Sequence, residues 1–228
     1  MEQLVIACVA FVGTHFLLSH PLRAALVRRM GEGPFAGLYS LVAFATLGWM
    51  VVAYRAIPEQ PFAWAVGDTA WALATAIMLV AAVLFAGSLV GNPALPGPGV
   101  DQAPVPRGVF AVTRHPMMWS FALWGVSHAL VFPEAANLVL VATVITLALV
   151  GAALQDRKKR QLRPALWRDW AARTSYTPFA ALAGGRLAWS AAVPRGGVML
   201  AGLALWLAAT WAHLPLAGWP AGVWRWIG

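Results

Sequence analysis

Apolar residues follow one another along this chain in long runs, and the polar residues are gathered into the gaps between them. A helix that crosses the hydrocarbon layer needs roughly 20 apolar residues, with about 17–25 tolerated. Six runs meet or nearly meet that length: about Leu4 to Leu18, Phe35 to Tyr54, Trp64 to Val90, about His115 to Phe132, Ala135 to Leu154, and about Gly196 to Leu214. The fourth rests on a short apolar run. Met1-Glu2-Gln3 lacks the positive charge that opens a cleaved secretory signal, so the first run is expected to be a retained helix. The pattern therefore predicts an all-α fold, a polytopic bundle of about six transmembrane helices forming one domain over residues 1–228.

The gaps divide into three kinds. Gly91 to Gly99 is so rich in Pro and Gly that neither helix nor strand can run through it, and it reads as a loop. Gln155 to Arg186 is the one long polar segment, with eight Lys/Arg against two Asp, and predicts a solvated amphipathic helix ending at Thr174-Ser175-Tyr176-Thr177-Pro178. The tail from Pro215 to Gly228 carries three Trp and one Arg, a composition suited to lying along the outer interface.

Composition removes the soluble alternatives. The chain is 61% apolar and 11% charged, against about 45–50% and 25% for a soluble domain. That excludes an ordinary cytosolic enzyme and a disordered chain, and the single Cys8 excludes a disulfide scaffold. The net charge of +8 matters through its placement, as a topology signal and not as a nucleic-acid footprint. With the amino terminus outside, the inner loops collect 14 of the 16 Lys/Arg and the outer side keeps only Arg55 and Arg225. Lys and Arg are retained on the cytoplasmic side during insertion, so both termini are expected on the periplasmic face of a bacterial inner membrane.

Ionisable groups within the spans are few, and each needs a reason. Asp68 stands at an outer helix end, and Glu32, Glu59, Asp101, Glu134, Asp156 and Asp169 read as loop residues. This is not the pattern of a pump built on buried carboxylates, and neither a Gly-rich phosphate loop nor a Cys/His zinc spacing is present. Histidine is the exception. His15 lies in the inner half of the first span, His20 at its cytoplasmic end, His115 at the start of the fourth, His128 within the fourth, and His213 at the outer end of the sixth. His213 reads as structural. His15 and His128 are candidate haem ligands, since imidazole is the usual axial ligand in a helical bundle. Arg114-His115-Pro116 opens the fourth span, where a guanidinium beside an imidazole suits an anion, a haem propionate or a lipid headgroup, or simply snorkels to the interface.

Three stretches carry a resemblance. They are His15 to Arg23 with Gly31-Glu32-Gly33-Pro34 to Leu41, then Gly108 to Trp119 with Trp124 to Leu130, and then Asp156 to Arg160 with Arg173 to Phe179. Together they resemble the NnrU membrane proteins, named for an association with nitrite and nitric oxide reductase functions. That family includes the 15-cis-zeta-carotene isomerase, a membrane enzyme with a haem b held by histidines. The resemblance implies haem b on His15 and His128, with Gly125 standing where the isomerase carries a cysteine before its second ligand. Measured from the inner edge, His15 lies eight residues deep and His128 fourteen, about 9 Å apart in depth. A pairing of His15 or His20 with His115 matches depth as well. The Arg-His-Pro element and the Thr-Ser-Tyr-Thr-Pro-Phe stretch are also similar to isoprenylcysteine carboxyl methyltransferases, which bind S-adenosylmethionine around that element.

The expectation is an NnrU-type membrane protein holding haem b through His15 and His128, with Arg114 and His115 supporting a propionate or anion and a cleft opening toward the cytoplasmic side. Its function would be isomerisation of a cis-polyene, or the handling of nitric oxide in denitrification. A non-enzymatic accessory protein for a nitric oxide reductase complex and a membrane methyltransferase are the alternatives.

Overall fold

The apolar runs fold as helices, because a backbone in lipid must satisfy its own N–H and C=O groups within the segment. The computed structural model describes residues 1–94 and 103–227. The helices are α1 (Glu2–Ser19), α2 (Arg23–Met30), α3 (Glu32–Arg55), α4 (Asp68–Ser88), α5 (Val109–Val112), α6 (Pro116–Val131), α7 (Ala135–Leu162), α8 (Pro164–Arg173), α9 (Ala180–Ala183), α10 (Gly196–Ala217) and α11 (Trp224–Ile227), with a 3-10 turn at Trp189–Ala192. No strand occurs among the described residues.

Five helices, α1, α3, α4, α7 and α10, are long and apolar enough to cross a membrane. The fourth expected span is α6, whose 16 residues make about 24 Å at 1.5 Å per residue. The long helices and α6 neighbour one another in the order α3, α1, α7, α6, α4, α10, so α6 lies between α7 and α4. Close approach is made by glycine where two helices need it. A Cβ on Gly202 of α10 would sit 2.8 Å from the Val83 Cα of α4, and one on Gly125 of α6 would sit 2.6 Å from Ile145 Cγ1 of α7. Between helices in lipid, association comes from such packing and not from hydrophobic exclusion. Two buried clusters complete the interior, one around Leu4, Cys8, Phe11 and Met50 where α1 meets α3, and one around Phe110, Trp167 and Trp170 where α5 meets α8.

Several polar segments depart from expectation. The loop reading of Gly91 to Gly99 is seen over Gly91 to Ala94, and its remainder, with Asp101, lies outside the described residues. The segment after Gln155 is not one helix: α7 continues to Leu162, and Pro164 opens α8, where its missing N–H costs nothing. Asp156 and Asp169, expected in loops, stand in α7 and α8, and Glu32 opens α3. The carboxy-terminal tail packs back onto α10, with Trp224 Nε1 donating to Leu207 O at 3.2 Å and Thr210 Oγ1 at 3.1 Å.

Candidate functional site

Three places in the described structure hold the candidate residues of the sequence analysis. The first joins the start of α6 to the end of α7. Asp156 is 3% exposed and His115 2%. His115 Nε2 donates to Asp156 Oδ1 at 2.7 Å, Arg114 Nε donates to both carboxylate oxygens at 3.0 and 2.9 Å, and a terminal nitrogen of Arg114 donates to Oδ2. Arg114 and His115 therefore sit together as the sequence expects, but their partner is a carboxylate of the same chain. Tyr176 closes the group: the Arg114 guanidinium lies 5.9 Å over its ring and the His115 ring meets it edge-on at 5.8 Å. Its hydroxyl donates to Leu149 O at 2.7 Å, and its carbonyl accepts from Thr113 Oγ1 and Trp119 Nε1. Burial, then the Asp156 charge, raise the Tyr176 phenol above its usual 10.0, with Arg114 opposing. Charge-assisted bonds of this kind lock a junction, here that of α6 with α7, and the neutral hydrogen bonds of Tyr176 hold the segment after α8 against it.

The second place is a cavity of about 340 Å³ bounded by α1, α3, α6 and α7. His15, Ser19, His20, Tyr39, Gln155 and Lys158 give it a polar lining, and Phe121 of α6 forms part of its wall. His15 Nδ1 donates to Phe11 O at 2.7 Å, the i−4 carbonyl of its own helix. Burial, then the charges of Lys158 and Arg157, hold His20 below its ordinary 6.5.

The third place is an apolar cavity of about 240 Å³ between α4, α6 and α10. Its walls are aromatic, with Trp71, Phe85, Phe121, Trp124 and Trp206, and two imidazoles enter it, His128 from α6 and His213 from α10. Their ring centroids are 5.8 Å apart. His128 Nδ1 donates to Trp124 O at 2.8 Å, and the ring lies against Trp124 with centroids 4.3 Å apart. His213, structural by its position in the sequence, stands in this cavity beside His128, a juxtaposition that sequence position does not reveal. His15 and His128, the expected pair, line different cavities that share only the wall residue Phe121. The apolar cavity runs from Phe85 and Ser120 to Trp71, Ala221 and Gly222, while the His15 cavity reaches Gln155 and Lys158, at the Asp156 end where the sequence places a cleft.

A family model described as NnrU protein matches residues 3–221. The chain belongs to the NnrU family. The match takes in all five histidines and the Arg114–Asp156 cluster, and stops before α11. No curated protein and no solved structure matches the chain.

The donor sets of this NnrU protein bear on what it could hold. Among the described residues, no three His, Cys, Asp or Glu side chains form a group able to bind a metal ion alone. A porphyrin supplies four nitrogens and asks the protein only for axial ligands. His128 fits that demand, because a neutral imidazole donating through Nδ1 keeps a lone pair on Nε2. Gly125 fixes a further point: with a Cβ 2.6 Å from Ile145 Cγ1, a cysteine at this position would have to displace the Ile145 side chain.

Proposed function

We propose that this NnrU protein is a haem b-binding protein of the bacterial inner membrane, with the haem in the apolar cavity on His128. The supporting observation is the His128 imidazole, tied through Nδ1 to its own helix inside an aromatic-walled chamber. We read α6 as a sixth crossing, with both termini outside by the distribution of Lys and Arg. A bound haem would supply an iron centre for cis–trans isomerisation of a polyene. The chain's contribution is to solvate an apolar ligand on Trp71, Phe85, Phe121 and Trp206 and to exclude water from it. Nitric oxide is a second ligand that this chamber would admit.

Arg114 and His115 stand about 20 Å from His128 along α6, at 1.5 Å per residue, and are paired with Asp156. The cation nearer the cavity is Arg225, stacked 4.7 Å over Trp71, and it is the better placed of the two to meet a propionate. The test is the absorption spectrum of the detergent-purified protein expressed with ample haem precursor. The expected result is a Soret band that His128→Ala removes or shifts. A colourless wild type that also takes up no added hemin overturns the reading and favours an accessory role. Binding of S-adenosylmethionine, lost in Arg114→Ala, would instead support the methyltransferase.

A further inference from the structure

His213 stands in the apolar cavity for a reason its position in the sequence conceals. We propose that His213 of α10, and not His15 of α1, is the second imidazole ligand of the iron that His128 holds; this rests on the haem reading above.

Three observations carry it. The His128 and His213 rings are 5.8 Å apart between centroids, while two imidazoles bonded at roughly 2 Å on either side of one metal have centroids about 6 Å apart. Both rings use Nδ1 in the same way, on the i−4 carbonyl of their own helix: His213 Nδ1 donates to Ala209 O at 3.3 Å as His128 Nδ1 donates to Trp124 O at 2.8 Å. Each therefore keeps its Nε2 lone pair, and each has the outer hydrogen bond that fixes the tautomer of a ligating histidine. Finally, both open into one cavity, whereas His15 opens into another, beyond Phe121.

Two imidazoles can also meet in a membrane bundle only to pack. A packing role predicts no change in the iron when His213 is replaced. The experiment is therefore spectroscopic, on the full-length haem-loaded protein in detergent, read by ferric absorption and electron paramagnetic resonance. The wild type is expected to be low-spin with two histidine ligands. His213→Ala is expected to become high-spin and to return to low-spin when imidazole is added. His15→Ala is expected to stay low-spin. His213→Met keeps a ligand of similar size and is expected to give the spectrum of a His/Met pair, which separates loss of ligation from loss of fold. A low-spin, unchanged His213→Ala overturns this inference and leaves the haem reading standing, most plainly if His15→Ala is the variant that turns high-spin. A wild type that takes up no haem overturns both.

Discussion

Asp156 shows how much one side chain can hold. It is buried, accepts hydrogen bonds from His115 and from two nitrogens of Arg114, and so closes the junction of α6 and α7. Removing one member of such a pair strands the other charge, at a cost of about 3 kcal/mol. Asp156→Asn is expected to lower stability by about that much in equilibrium unfolding from detergent, and His115→Gln by less, because Arg114 then keeps its partner. A second effect follows from His20, held below 6.5 by burial and by Lys158 and Arg157. With the folded value below the unfolded one, the unfolded chain takes up the proton first. The contribution to stability is thus complete above about pH 6.5 and is lost as pH falls through the folded value. His20→Gln is expected to remove that acid-side slope from melting curves recorded below pH 6.5. Neither residue's setting is plain in the sequence, where Asp156 heads a run of cations and looks solvated. A signal was nevertheless present: Ala148, Ala152 and Asp156 recur at intervals of four and form one buried stripe of α7. His213 likewise ends a stripe begun by Gly202, Trp206 and Thr210, all buried on α10. In an apolar helix that stripe has no polar counter-face to make it visible.

Whole helices were more legible than single residues, since the length of an apolar run is set by the membrane and not by neighbours. Hence α3, α4, α7 and α10 fall on the expected runs; α7 runs past Leu154 to Leu162 where polar residues continue the helix, and α4 is shorter than the Trp64 to Val90 run, at Asp68–Ser88. Contacts between helices could not be read, because every face of such a helix is apolar. The glycines decide them. A Cβ at Gly202 meets the Val83 backbone at 2.8 Å, which cannot give way as a side chain could, so Gly202→Ala must push α10 from α4. Overpacking of this kind costs about 1–3 kcal/mol. The matched control is Gly13 of α1, whose Cβ would meet nothing within 4 Å, where alanine should gain up to about 1 kcal/mol from helix propensity. Thermal melting of the two variants should therefore move in opposite directions. Because Gly202 lies between the cavity and the opposite end of α10, its replacement should also disturb the His128–His213 approach, which His213 spectra would register.

At the scale of the whole molecule, charge is sorted by end. Arg23 pairs with Glu32 and lies near Lys158 and Lys159, and the Arg114–Asp156 cluster closes the same end, while Arg225 meets Asp68 at 3.4 Å over Trp71 at the other. The rich end carries the cations that the positive-inside rule assigns to the cytoplasm, so the end of the apolar cavity lined by His213, Trp71 and Gly222 should lie toward the outer face. The assignment can be checked in a Cys8→Ala background with a membrane-impermeant maleimide on intact cells. Trp226→Cys, on the exposed tail, should label from outside; Arg168→Cys, exposed on α8, should label only after the cells are opened. The reverse pattern would overturn the orientation and set the cavity facing the cytoplasm. It would leave the ligand geometry intact, since the two imidazoles approach each other within the bundle whichever way the bundle stands. The two questions are thus separable: labelling decides from which side a ligand reaches the chamber, and the iron spectrum decides which side chains meet it there.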